Sequence, residues 1–193
     1  MSNITEKYDN KKKFKSRENN KNVYSRSLIT QNITLPIIAI SKTLKQTLED
    51  CIISTVEGKC IVEGYVKPKS VKIITYSSGT VKGDKIFFEI IYECEVCFPV
   101  AGMLLNCVAK NVTKAGIRAE SSEEIPSPFV LFIARDHYFA NEYFNSIEEN
   151  DKFIARVIAQ RFELNDKFIS IIAEIISPRE KEYKKNTKPK LIF

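Results

Sequence analysis

Residues 104–120 read LLNCVAKNVTKAGIRAE, and their pattern decides the fold. Leu104, Val108 and Val112 share one parity with Asn106 and Lys110. The stretch Leu104–Thr113 reads as a strand. A tight turn at Lys114-Ala115 leads into a second strand, Gly116–Glu120. Outward from this hairpin, Pro99 and Gly102 open the unit. Ser121–Pro128 is a polar loop with two prolines, and Phe129–Ala134 reads as a short buried strand. Arg135–Ile147 reads as irregular or briefly helical. Phe153–Glu163 and Phe168–Ile176 read as two long strands joined at Leu164-Asn165-Asp166. Five strands in this order, with a long connection after the third and a closing hairpin, predict an all-β five-stranded OB-type barrel over residues 99–177. Periodicity alone admits another small β-barrel.

Upstream, residues 27–98 read as an α+β unit. Ser27–Leu35 is β-rich and ends at Pro36. Ser41 is placed to cap a helix. Leu44, Leu48, Cys51, Ile52 and Val56 then form one apolar stripe, which Gly58 stops. Strands are expected at Ile61–Val66, Val71–Tyr76 and Lys85–Phe98, with turns at Gly79 and Lys82-Gly83-Asp84.

The net charge of +6 is unevenly placed. Residues 1–26 carry +5, residues 178–193 carry +4, and everything between carries −3. A uniformly basic globule is excluded, because charge informs on partners only through its location. Both ends are Lys-rich and poor in apolar residues, so flexible basic tails are expected. No run of about 18 apolar residues occurs and no apolar run opens the chain, so neither a membrane span nor a secretory signal is expected. Five cysteines, an odd number, fit free thiols in a reducing, intracellular setting.

Cys94-Glu95-Val96-Cys97 has the C-x-x-C form of a zinc half-site, which usually sits on a turn and needs a second pair elsewhere. Here it falls in a strand. Residues three apart on a strand face opposite ways, so Cys94 is expected in the core and Cys97 away from it, and no metal site follows. His137 is the only histidine and lacks a recognisable nucleophile and orienting partner. No phosphate loop or dinucleotide fingerprint is present. No cofactor and no catalytic residue are expected.

The barrel offers basic groups for phosphates: Lys110, Lys114, Arg118, Arg135, Arg156 and Arg161, with His137 beside them. Phe132, Tyr138 and Phe162 are candidate base stackers. Solvated surface charge is the competing explanation, because residues 99–177 carry a net −3.

Several passages then resemble one family in order and spacing. They are Leu28–Leu35 followed by Pro36, Val56-Glu57-Gly58-Lys59-Cys60, and Gly64-Tyr65-Val66. Tyr92, Val96, Pro99 and Gly102 follow, in a Y-x-x-x-V-x-x-P-x-x-G passage, and then Val108, Gly116-Ile117 and Phe132-Ile133. Over about Ser27–Ile176 the chain resembles the larger stalk subunit of multisubunit DNA-directed RNA polymerases, that is, the seventh subunit of the eukaryotic polymerase II or its archaeal counterpart. The wording of Lys114–Glu120, Phe132–His137 and Arg161–Asp166 is most similar to versions from giant nucleocytoplasmic DNA viruses. Where many OB domains of this type carry an aromatic and a histidine, this chain has Arg118 and Ala134.

The resemblance implies a non-catalytic polymerase subunit. Residues 27–98 would dock on the core subunits, and the barrel would contact single-stranded nascent RNA without reading bases. A smaller stalk subunit is left open as a further partner. If viral, the chain would work in the host cytoplasm and virion; if cellular, in the nucleus. A free-standing OB-fold RNA-binding protein of translation or RNA decay is the alternative.

Overall fold

The computed structural model describes residues 23–40, 43–138 and 141–177. The expected tails fall outside these residues except at Val23–Arg26, and so does the Ser41 cap. The first strand, β1, spans Tyr24–Pro36, three residues earlier than its apolar pattern suggests. The reason is Tyr24, which pairs with Cys97 and is buried.

The N-terminal half is built on a single long strand. The helix α1 (Leu44–Val56) is followed by β2 (Cys60–Ile61), β3 (Gly64–Val66), β4 (Lys72–Tyr76), β5 (Thr80–Lys82) and β6 (Lys85–Cys97). One edge of β6 pairs antiparallel with the whole of β1. Its other edge takes β5, β4 and β3 one after another, and β2 pairs with β3. The expected Ile61–Val66 strand is thus two short ones, because Val62-Glu63 make a turn. β5 lies where only turns are expected.

Strand alternation gives β6 two faces with different neighbours. Phe88, Ile90, Tyr92, Cys94 and Val96 join Ile29, Ile33 and Leu35 in a core under Leu48, Ile52 and Val56 of α1. Each such helix side chain contributes about 1.5–3 kcal/mol by leaving water. The helix ends where Glu57 turns to an extended backbone, and Gly58 follows at φ 69° with its amide donating to the Val66 carbonyl at 3.0 Å. The opposite face carries Leu28, Phe87, Ile91, Glu93 and Glu95 and is open for most of its length.

That open face ends under the second half of the chain. β7 (Leu104–Val112), β8 (Gly116–Ser121), β9 (Phe129–Ala134), β10 (Lys152–Arg161) and β11 (Ile169–Ile176) form a closed barrel in the order β10-β11-β9-β8-β7. All its pairings are antiparallel except β9 with β11. This is the strand order of an OB-type barrel. Arg135–His137 form a single 3-10 turn and α2 (Glu142–Asn145) a single helical turn, capped by the Asn141 side chain, which accepts from the Phe144 amide.

The barrel core does not stop at the barrel. Tyr24, Cys60, Tyr65 and Cys97 pack with Leu105, Ile117, Phe129, Leu131 and Ile169. Cys97 is therefore fully buried, which corrects the expectation that it points away from a core. It does leave the core that holds Cys94, and enters the other one. The β10–β11 hairpin also extends the sheet: the Cys60 N–H donates to the Asp166 carbonyl at 2.7 Å, and the Asn165 N–H to the Cys60 carbonyl at 2.8 Å.

Candidate nucleic-acid interface

The seven basic candidates of the barrel do not form one patch. Arg118 on β8 sits opposite Asn111, near the end of β7, whereas Arg156 on β10 sits opposite Leu104, at its start. Seven residues of strand, about 20 Å, separate the two positions. Three candidates gather at one end instead. Lys114 lies at the tip of the β7–β8 hairpin, and the Arg135 amide donates to the Ala115 carbonyl, which brings the 135–137 turn and His137 against that tip. Lys110 and Lys114 are exposed, and among the described residues neither forms an ion pair.

The arginines have partners. Arg118 meets Glu120 at 3.5 Å, Arg161 meets Glu163 at 2.9 Å, and Arg156 pairs with Glu174 across β10 and β11. Two of these pairs could be read from sequence, because residues two apart on an extended chain share a face. The third needs the β10–β11 register and could not. Such surface pairs contribute only about 0–1 kcal/mol, so a phosphate can compete for the guanidinium. Arg135 is different. Its guanidinium donates to the Asn145 side chain and to the Thr113 carbonyl, and lies over the Phe144 ring at 5.1 Å. It ties the 135–137 turn and α2 to the hairpin, which is a structural task.

The stacking candidates also divide. Tyr138 lies parallel to Phe144 with centroids 5.0 Å apart, and its hydroxyl accepts from the Ile175 amide. Phe162 packs edge-on against Phe98 at 6.1 Å. Both rings are taken up by packing. Phe132 remains on the outer wall, 40% exposed, directly opposite Arg118 in the β8–β9 register. A side chain at Gly116 would come within 2.9 Å of the Phe132 ring and 2.1 Å of the Ile133 carbonyl. The glycine thus leaves room for the ring edge against β8. Arg118 and Phe132 place a cation and an aromatic face side by side on the two strands that OB folds commonly use for oligonucleotides.

Ile172 on β11 stands opposite Phe132 and is also exposed, which widens the apolar surface. At the far end of the N-terminal sheet there is a second apolar cluster. Ile37, Ile38 and Ile40 follow β1 and are 46%, 95% and 37% exposed. The Ile37 amide donates to the Asp84 carbonyl at 3.0 Å, which holds this tip beside the β5–β6 turn. Sequence reading passes over these isoleucines because no periodicity marks them.

All five cysteines are free, and none has a reactive setting. Burial pushes the thiols of Cys60 and Cys94 up to about 11 and those of Cys97 and Cys107 up to about 12. Among the described residues no three His, Cys, Asp or Glu side chains converge as metal ligands, and no helix is long and apolar enough to cross a membrane.

Fold and surface together define a chain with an α-covered sheet that shares a core with an OB-type barrel. Exposed cationic and apolar groups meet at Arg118 and Phe132, and the isoleucine tip lies apart from them at the far end of the sheet. No protein-family model matches the sequence. It is similar to a protein of Acanthamoeba polyphaga mimivirus whose name describes it as a candidate DNA-directed RNA polymerase subunit. The two are 24% identical over 143 residues, which covers 67% of this chain and 72% of that one.

Proposed function

We propose that this chain is a non-catalytic stalk subunit of a giant-virus DNA-directed RNA polymerase. It docks on the core subunits through the N-terminal half and holds its barrel toward emerging single-stranded RNA. The similarity to the mimivirus protein supports the polymerase assignment. The observation that carries the docking role is the isoleucine tip at Ile37, Ile38 and Ile40. Three isoleucines gathered on one exposed tip form an apolar centre of the kind a docking surface requires. The tip lies at the opposite end of β6 from the barrel, and the 13 residues of that strand span about 40 Å. A subunit gripped at the tip therefore presents its barrel well away from the body it is attached to. The barrel's role is transient phosphate contact through Lys110, Lys114 and Arg118, with Phe132 as a stacking surface.

Native affinity purification of the full chain tests this reading. The largest polymerase subunits should co-purify with it, and Ile38→Glu should abolish the association without altering thermal stability, because the side chain makes almost no contact within the chain. A monodisperse protein that brings down no polymerase subunit would exclude the stalk role.

A further inference from the structure

One group of cations lies off the barrel. It lines a groove on the open face of the N-terminal sheet, where that face meets the barrel. Arg26 of β1, Lys67, Lys69 and Lys72 surround it, with Glu93 and Glu95 of β6 along the floor. The groove is open and encloses about 380 Å³. Three observations distinguish it from scattered surface charge.

First, the turn that carries Lys67 and Lys69 is fixed. The Glu57 carboxylate accepts from the Lys69 amide at 2.8 Å with one oxygen and from the Val71 amide at 3.1 Å with the other. The Ser70 hydroxyl donates to the Lys67 carbonyl and accepts from the Glu95 amide. Lys69 itself has φ 62°, a conformation that an L-residue adopts only under constraint. The turn is held in one shape, and Lys69 points its charge into water from it.

Second, two of the four cations form no ion pair among the described residues, although Glu57, Glu93, Glu95 and Glu124 equal the cations in number. Lys67 is engaged by Glu95 at 3.2 Å and by Glu124 of the barrel loop at 3.6 Å, and its ammonium lies over Tyr24 at 4.7 Å. Arg26 reaches Glu93 at 3.6 Å from a side chain that is 80% exposed, so that pair is readily exchanged. Lys69 and Lys72 form no ion pair among the described residues. Third, the groove adjoins the point where residues 1–22, with a net charge of +4, enter the fold at Tyr24.

We infer that this groove binds the phosphodiester backbone of single-stranded RNA, with Arg26, Lys69 and Lys72 as its phosphate ligands. It would be a contact separate from the Arg118–Phe132 wall. An open groove edged by Arg26, Lys67, Lys69 and Lys72, with no aromatic ring among its lining residues, suits phosphates rather than bases. This inference rests on the RNA-contacting role proposed above, and the experiment separates the two.

Binding of a labelled 20-nucleotide oligouridylate to the full chain is measured across a salt series, for the natural protein, for Lys69→Glu/Lys72→Glu and for Lys110→Glu/Arg118→Glu. Both groove lysines are exposed and unpaired, so the first variant should fold normally. It should lose about tenfold in affinity near 0.1 M salt, and its log–log salt slope should shrink by about 1.4, corresponding to two phosphate contacts. An unchanged groove variant beside a weakened barrel variant would overturn the groove and leave the barrel's role standing. If neither variant changes, RNA contact by the folded part is overturned as a whole. Preference for a 20-base-pair duplex DNA over the oligouridylate would overturn the choice of single-stranded RNA.

Discussion

Cys94 and Cys97 lie three residues apart on one strand and are buried in two different cores. Cys94 packs beneath α1, and Cys97 packs with the barrel. The spacing that excludes a shared metal is the same spacing that lets β6 serve both halves, since each face of its final residues belongs to a different core.

The junction around Cys97 depends on Gly64. A Cβ there would stand 2.4 Å from the Cys97 carbonyl oxygen, and the backbone sits at φ 129°. Neither the backbone oxygen nor the paired strand can retreat. Gly64→Ala should therefore cost about 2–5 kcal/mol from strain and overpacking. Because Tyr24, Cys60, Tyr65 and Cys97 complete the barrel core, both halves should unfold together. Thermal melting followed by far-ultraviolet and tyrosine signals should give one coincident transition in the natural chain, shifted down in the variant. Two separate transitions would show that the shared core does not couple the halves.

The buried thiols set a limit at alkaline pH. An unfolded chain releases thiol protons near pH 9, whereas the folded chain holds those of Cys60 and Cys94 to about 11 and those of Cys97 and Cys107 to about 12. Between these values the folded state binds more protons than the unfolded state, so stability falls as pH rises. The full contribution is present below pH 9. Urea unfolding from pH 8 to 11 should show a steep decline above pH 9. Cys107→Ala should reduce the slope by up to about 1.4 kcal/mol per pH unit. At neutral pH a thiol reagent should modify Cys51 first, because it alone is partly exposed.

The barrel was legible because five strands in this order with one long connection restrict the topology. The helix was legible from its stripe and from Gly58. Tyr24 was not, since one tyrosine after a polar stretch carries no periodicity, and its burial depends on a register partner 73 positions away. β5 was hidden because three residues are too few for a pattern. For the surface, sequence names cations one at a time and carries no information on their grouping. The β7 register sets Arg118 and Arg156 seven strand residues apart, and the turn at Lys69–Val71 acquires its shape from Glu57, twelve and fourteen residues away along the chain.

Phe132 provides the sharpest test of the barrel wall. Its ring is held over Gly116 beside Arg118, and it is the candidate stacker that packing leaves exposed. Removing a stacking ring typically costs about 1–3 kcal/mol of binding per base. Phe132→Ala should weaken oligouridylate binding by roughly 5- to 100-fold while leaving the salt slope unchanged, because no phosphate contact is lost. Arg118→Gln should do the reverse, with a smaller loss of affinity and a slope reduced by about 0.7. Crosslinking of the ring to 5-iodouridine in the oligonucleotide should disappear with the first variant and persist in the second. If Phe132→Ala binds as the natural chain does, the exposed ring belongs to the apolar surface it shares with Ile172, and the wall is a protein contact rather than an RNA contact.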